Sequence, residues 1–352
     1  MKYLNSFSLR SEITSAETDN CVQNPDNINI CFSTDNNYAQ HCAVAIASIL
    51  KNTKTNKGID IFILNDGSLQ ATHKEKIKSL KTLRSDVNII FLTIDKNMFQ
   101  GLPLAFHFTE AIYYRFIIPH ILNKLPKIIY LDSDLIVNTD IEDLYNTDLR
   151  GKYIGMVQSR MGYACLQRLN LCKGKYYCNS GVLIIDLEKF RNNNITQKLF
   201  DWITENKDIV KWFDQDTINA VLEEKIHYLD LSWNVQPVGE FCDFETSVYE
   251  NIKNNPKIMH WIGCGKPWNT DTILNKDLYF KYLKYTPYKG FILKYAAITI
   301  FNHINTILSD NIFSIHNVRN GYNVHKVITF LGLKLKLRNK KKEEKIKKEW
   351  QE

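Results

Sequence analysis

The stretch Lys127–Asp143 reads KIIYLDSDLIVNTDIED. Its first five residues, Lys127-Ile128-Ile129-Tyr130-Leu131, form a short apolar run that predicts a buried strand. The run ends on Asp132-Ser133-Asp134, two carboxylates two residues apart. In a strand that continued undisturbed both would project from one face, and two unpaired anions there require a cation or several donors. A metal ion meets that requirement with one group. An acidic strand-end turn with solvated carboxylates meets it with none, and the D-x-D pattern by itself leaves both open.

Toward the N-terminus, Ile28–Ser33 predicts a strand, followed by a loop of cap-forming residues, Thr34-Asp35-Asn36-Asn37. From Tyr38 to about Asn52 the apolar residues Ala39, Cys42, Ala43, Ile46, Ile49 and Leu50 fall at helical spacing. Strands at Ile59–Leu64 and Val87–Leu92 enclose a lysine-rich amphipathic helix that runs to about Leu83. Strands alternating with helices imply an α/β fold with a mostly parallel sheet covered on both faces. Ligands bind such sheets at the carboxyl ends of the strands. Thr109–Pro119 predicts a helix carrying Arg115, which pairs either with a surface carboxylate or with an anionic ligand in the cleft.

Downstream, Tyr176–Gly181 predicts a loop that brings Asn179 into the sheet from its edge, ahead of a strand at Val182–Asp186. A single helix is expected from about Leu187 to Asn206. Phe213-Asp214-Gln215-Asp216-Thr217 reads as a helix N-terminus with Asp214 or Asp216 as its cap. After a strand at Lys225–Leu229, the segment Pro256–Trp268 predicts a strand ending in His260 and a loop whose Gly263 and Gly265 permit close backbone approach. His260 is then either a satisfied structural histidine or a third metal ligand. Lys266 is either an exposed lysine or a phosphate contact.

Composition bounds the remaining choices. The chain has 352 residues, 44% hydrophobic and 24% charged, an ordinary globular balance. Between Lys334 and Glu352 nine basic side chains face four acidic ones, a local +5 that leaves only +2 of the formal +7 for the rest of the chain. A near-neutral body with a basic tail is not a uniformly basic nucleic-acid binder, and no recognition module supports nucleic-acid binding through the tail. The eight cysteines form no C-x-x-C pair, which suggests neither a zinc ribbon nor a disulfide framework. The first residues, MKYLNSFSLRSEITSAETDN, lack the apolar core of a signal peptide, and no apolar stretch approaches the roughly 20 residues that span a bilayer. The expected organisation is a flexible segment over residues 1–26, a main domain over 27–285 and a basic amphipathic appendage over 286–352. In the appendage, Val327–Arg338 alternates apolar and cationic residues toward its end, predicting a short strand or hairpin before a charged helix from Lys340. Attachment of this region to anionic lipid predicts a cytoplasmic protein, peripheral on the inner face of the membrane.

Six blocks together carry a family resemblance: FSTDNNY (Phe32–Tyr38), YYR (Tyr113–Arg115), YLDSD (Tyr130–Asp134), YYCNSGVL (Tyr176–Leu183), DQD (Asp214–Asp216) and HWIGCGKPW (His260–Trp268). Their order over residues 27–270 resembles glycosyltransferase family 8, and most closely its bacterial lipooligosaccharide and lipopolysaccharide α-galactosyl- and α-glucosyltransferases. The resemblance implies a GT-A fold, with a Rossmann-like mixed, mostly parallel sheet flanked by helices, a UDP-glucose or UDP-galactose donor, a divalent ion (Mn²⁺, with Mg²⁺ as the alternative), a saccharide or glycolipid acceptor and retention of anomeric configuration. By matched motif, Asp35, Asn37 and Tyr38 would hold the uridine, and Asp132, Asp134 and His260 would bind the metal. Lys266 with Gly263 would contact the diphosphate, and Ser133 belongs to the same nucleotide-binding set. Arg115, Asn179, Asp214 and Gln215 would surround the transferred sugar. The chain departs from the galactosyltransferases where it has Gln158-Ser159 in place of an acidic residue, which leaves donor sugar and acceptor open.

Chemistry supports the same outline. A UDP leaving group gains negative charge as the glycosidic bond breaks, and a cation beside Lys266 would stabilise it in the transition state. Gln215 is a poor nucleophile and Asp214 a usable one, so front-face attack and double displacement both remain, the first being expected. A different class, a catalytically silent sugar-nucleotide-binding scaffold of a glycan assembly complex, has the same donor motifs.

Overall fold

The computed structural model describes residues 23–104, 109–160, 162–237, 246–270, 272–320, 323–330 and 333–349. These divide into two compact units between Lys289 and Gly290. Most of the N-terminal segment expected to be flexible lies outside the described residues. Its last residues are tied down: Lys124 N–H donates to Gln23 Oε1 at 3.0 Å and Asn29 Nδ2 to the Asn24 carbonyl at 3.0 Å.

The first unit opens with β1 (Ile28–Ser33), α1 (Ala39–Asn52), β2 (Ile59–Asn65), α2 (Ala71–Lys78) and β3 (Val87–Thr93). Strands β1 and β2 are buried almost throughout, as continuous apolar runs in a doubly covered sheet must be. Helix α1 is buried on nearly every side, which its small residues Ala43, Ala45 and Ala47 permit. Fully enclosed side chains such as Ile46 and Ile49 each contribute about 1.5–3 kcal/mol relative to exposure. The lysine-rich helix ends at Lys78 and tightens into a 3₁₀ turn over Ser79–Leu83. There follow α3 (Tyr114–Ile121), β4 (Lys127–Leu131), β5 (Leu135–Val137), α4 (Glu142–Tyr145), β6 (Ile154–Gln158), α5 (Gly162–Arg168) and β7 (Cys178–Asp186).

The helix expected as one piece from Leu187 is two, α6 (Leu187–Asn192) and α7 (Ile195–Glu205). Asn194 between them adopts φ 51°, a left-handed conformation that asparagine tolerates better than most residues. The unit closes with α8 (Phe213–Val221), β8 (Ile226–Tyr228), α9 (Thr246–Lys253), β9 (Ile258–His260) and α10 (Lys276–Leu283).

The main sheet has the order β3-β2-β1-β4-β7-β6-β8. Pairings β3/β2, β2/β1, β1/β4 and β6/β8 are parallel, whereas β7 runs antiparallel to both neighbours, β4 and β6. The sheet is therefore mixed and mostly parallel. Asn179 lies inside β7, an interior strand, and not in a loop entering from an edge as expected. A second, two-stranded sheet pairs β5 with β9 antiparallel, setting Leu135 opposite His260.

The second unit consists of α11 (Phe291–Ile312), β10 (Phe313–Asn320), β11 (Asn323–Phe330), β12 (Leu333–Arg338) and α12 (Lys340–Glu349). Its three strands form an antiparallel sheet with β12 at one edge. Among the described residues no helix is long and apolar enough to cross a membrane.

Candidate active site

Strand β4 stops at Leu131, so Asp132 and Asp134 are not successive members of one strand face. The backbone turns out of the sheet there because its groups find partners elsewhere. Asp132 N–H donates to the Gly181 carbonyl at 2.8 Å, Ser133 Oγ to the Ser33 carbonyl at 2.9 Å, and Trp261 N–H to the Asp134 carbonyl at 3.1 Å. The β5/β9 pairing then delivers His260. Ligand atoms of Asp132, Asp134 and His260 all lie within 4.8 Å of one another. His260 Nε2 is 3.1 Å from Asp134 Oδ1 and 3.7 Å from Asp132 Oδ2.

This is not a solvated turn: the Asp134 side chain is 14% exposed and that of His260 2%. Two carboxylates and an imidazole are a donor set for a divalent transition metal more than for an all-oxygen magnesium site. Space is reserved for them at Gly181, where an added Cβ would lie 2.3 Å from His260 Cε1 and 2.5 Å from Asp132 Oδ2.

Two cations balance the acids. Lys266, buried, donates through Nζ to Asp134 Oδ2 and to the Trp261 carbonyl. Burial opposes ionisation of Asp134, but Lys266 and then His260 outweigh it and hold the carboxyl well below its usual range. Burial likewise disfavours the Lys266 ammonium, and Asp134 more than offsets it. Arg115, also buried, donates from Nη2 to Asp132 Oδ1 at 3.0 Å, from Nη1 to the Ser180 carbonyl at 2.5 Å and from Nε to the Ile112 carbonyl at 3.0 Å. Its guanidinium lies 4.3 Å from the Tyr130 ring centre. Nη1 is also 3.0 Å from Asp214 Oδ2, an ion pair not aligned as a hydrogen bond. Burial pushes the Asp214 carboxyl up, Arg115 pulls it down and Asp132 raises it again, leaving it at about 6.

The sugar-side residues of the sequence reading also meet. Gln215 Oε1 accepts from Asn179 Nδ2 at 2.8 Å and from Ser180 N–H at 3.2 Å. Neither aspartate of the DQD block occupies the N-cap position of α8, which is Trp212, although Asp216 Oδ2 accepts the Lys211 and Trp212 N–H groups that precede the helix. Asp214 is claimed by Arg115. Asp216 is claimed by Arg168 Nη2 at 2.8 Å and the Tyr177 hydroxyl at 2.6 Å.

On the β1 side, Asp35 Oδ1 accepts from Tyr38 N–H at 2.9 Å and shapes the turn into α1. Asp35 and Asn37 line a cavity of about 230 Å³ with Thr34, Asp66, Ser68 and Tyr114. The Tyr38 ring stands edge-on to Trp268 at 6.2 Å, and Trp268 stacks on His41 at 3.4 Å. Gly263 has φ 75° with nothing within 4 Å of where a Cβ would stand, so its backbone is open to close approach. Lys266, read from the sequence as either an exposed lysine or a phosphate contact, is buried and bonded to Asp134, and would have to be shared with an incoming anion.

A family model described as glycosyl transferase family 8 matches residues 29–272. The chain belongs to glycosyltransferase family 8. Relatives of this family 8 protein include general stress protein A of Bacillus subtilis, 32% identical over 270 residues, 74% of this chain and 94% of that one. The lipopolysaccharide glucosyltransferase WaaO of Escherichia coli is 28% identical over 262 residues, 69% of this chain and 73% of its own length. Among solved structures, the bifunctional glycosyltransferase WbbM superposes with a TM-score of 0.67 at 23% identity over 78% of this chain. The match spans only about half, 52%, of that longer protein. The shared fold is the mixed, mostly parallel sheet of the GT-A glycosyltransferases.

Sequence reasoning singled out neither Tyr177, whose hydroxyl donates to Asp216, nor Gly181, whose missing side chain leaves room for Asp132 and His260, nor Asn234, whose Nδ2 donates to Asn179 Oδ1 and whose Oδ1 faces His260 Nδ1. Tyr177 and Gly181 stood inside the YYCNSGVL block. Asn234, in a 3₁₀ turn reading Leu-Ser-Trp-Asn, carried no signal.

Proposed function

We propose that this chain is a retaining α-glycosyltransferase that moves a hexose, glucose or galactose, from a UDP-sugar to a saccharide acceptor of the lipopolysaccharide or lipooligosaccharide type. The observation that carries the reading is the convergence of Asp132, Asp134 and His260 beside Lys266 at the carboxyl end of β4. Asp132, Asp134 and His260 would hold the divalent ion, with Mn²⁺ suited to the mixed donors, and when bound it supplies positive charge to the departing diphosphate.

The chain's own groups do the rest. Asp35 and Asn37, which line the cavity at the end of β1, and Tyr38 at the start of α1 bind the uridine. Ser133 and the Gly263 backbone approach the diphosphate, and Lys266 donates to it as leaving-group charge develops. Arg115, Asn179, Asp214 and Gln215 bind the sugar ring. Asp214 is only 7% exposed and sits against Arg115, a poor position for a nucleophile. Front-face attack, with a donor phosphate oxygen accepting the acceptor's proton, is accordingly the mechanism favoured here. Full-length protein with Mn²⁺ is expected to release UDP from UDP-glucose or UDP-galactose, faster with acceptor and not at all with EDTA. If none of the UDP-hexoses or their N-acetyl forms is turned over, the protein is a sugar-nucleotide-binding scaffold instead.

The second unit is proposed to hold the enzyme on an anionic inner-leaflet surface, where a lipid-linked acceptor is presented. Edge strand β12 exposes Leu333, Leu335 and Leu337 alternating with Lys334, Lys336 and Arg338. Basic groups near such a surface contribute about 1 kcal/mol each. Full-length protein is expected to float with vesicles containing anionic lipid and not with neutral ones. The Lys334→Glu, Lys336→Glu variant should float severalfold less, and equal flotation would refute the attachment.

A further inference from the structure

Asp216 has no exposed surface and accepts from four donors: the Tyr177 hydroxyl at 2.6 Å, Arg168 Nη2 at 2.8 Å, and the backbone N–H groups of Lys211 at 2.8 Å and Trp212 at 2.9 Å. The Tyr177 proton therefore points at Asp216, and the hydroxyl oxygen receives Gln215 Nε2 at 3.1 Å. Gln215 Oε1 takes Ser180 N–H and Asn179 Nδ2. Asn179 Oδ1 takes Gly181 N–H at 3.0 Å and Asn234 Nδ2 at 2.8 Å. Asn234 Oδ1 then faces His260 Nδ1 at 3.0 Å.

The direction of this chain is not arbitrary. Backbone N–H groups only donate, so Ser180 and Gly181 identify the oxygen ends of Gln215 and Asn179. With Asn179 Oδ1 fixed as an acceptor, Asn234 must turn its nitrogen to it and its oxygen to the imidazole. His260 Nδ1 is left to donate. The backbone holds Asn234 in place: Val235 N–H donates to the Ile258 carbonyl and His260 N–H to the Val235 carbonyl, both at 2.9 Å.

We infer that Asn234 is a positioning residue whose carboxamide oxygen, aimed by the chain that starts at Asp216, keeps a proton on His260 Nδ1 and presents Nε2 to an ion held with Asp132 and Asp134. The inference rests on the metal site proposed above. Neutral imidazole binds a metal through one nitrogen while the other donates, and loss of such an outer partner costs about 10–100-fold in metal affinity. The chain also ties Gln215, on the sugar side, to the ligand His260 through two amides, so both sit in one hydrogen-bonded frame.

The test is the Mn²⁺ dissociation constant of the full-length protein without any donor, read from the electron paramagnetic resonance of free Mn²⁺. Asn234→Leu, near in size but without an acceptor, is expected to weaken binding about 10–100-fold. Asn234→Asp keeps an oxygen toward Nδ1 but sets its other oxygen against Asn179 Oδ1, so it is made together with Asn179→Ala, which removes that acceptor; the double variant should stay within about a factor of five of the parent, well short of the loss from a missing outer partner. An Asn234→Leu constant within about threefold of the parent, below the outer-partner range, or a double-variant constant as poor as that of Asn234→Leu, overturns the inference. His260→Ala separates the two levels of the argument. If it binds Mn²⁺ as the parent does, the metal-site reading itself fails; if it binds weakly while Asn234→Leu does not, only the role of Asn234 falls. Should Asn234→Leu lack a cooperative melting transition, Asn179→Ala, which frees Asn234 to rotate, takes its place. Weakened binding is then expected, and unchanged affinity overturns the inference.

Discussion

Asp134→Ala is expected to abolish Mn²⁺-dependent UDP binding and to lower hexose transfer by about three orders of magnitude, a barrier increase of roughly 4 kcal/mol. Three roles end with this one carboxylate. It supplies a metal ligand oxygen, it faces His260 Nε2 at 3.1 Å, and it neutralises Lys266. The Lys266 ammonium, 6% exposed, would be left with the Trp261 carbonyl alone, so a modest loss of stability accompanies the loss of function. Calorimetric titration with UDP, with and without Mn²⁺, checks the first effect, and Asp134→Asn, which keeps the shape and an oxygen, separates it from the second. Undiminished transfer by Asp134→Ala in EDTA would refute the assignment of the site.

Much of the first unit was legible because its strands are continuous apolar runs. Ile28–Ser33 and Lys127–Leu131 fall where the pattern put them, since a strand covered on both faces has no polar alternation to confuse with a helix. The break between α6 and α7 was written as Asn192-Asn193-Asn194, residues that compete with helical backbone bonds, yet the apolar spacing around it argued for continuity. Asp132, Asp134 and His260 could be listed, but their meeting, with His260 126 positions from Asp134, depends on a three-residue pairing of β5 with β9 that no local signal encodes. Asp216 was only half legible: it accepts the Lys211 and Trp212 N–H groups before α8, though from inside the helix and not from the N-cap position. Acids at helix starts usually cap, and nothing local shows that Arg168, 48 residues earlier, already holds this one in the interior.

Arg115→Met is expected to destabilise the metal-free protein by about 3–5 kcal/mol, the range for removing one partner of a buried ion pair. For a domain of this size that lowers Tm by roughly 10 °C. Arg115 is 5% exposed and stands between Asp132 at 3.0 Å and Asp214 at 3.0 Å, so the variant leaves two carboxylates facing one another without a cation. The dependence on pH follows from Asp214, whose carboxyl is raised from 3.8 to about 6 chiefly by burial. Between those values the native state binds more protons than the unfolded one, so stability falls as pH rises through the window and the loss is complete above it. Arg115 opposes that rise, and without it the Asp214 carboxyl moves higher still, so the gap between parent and variant should widen from pH 5 to pH 8. Adding Asp214→Asn removes the buried charge. It should recover a substantial part of the lost Tm at pH 8 and almost none at pH 5, where Asp214 is already protonated. Equal recovery at both pH values would show that the variant fails through packing against Tyr130 and not through charge.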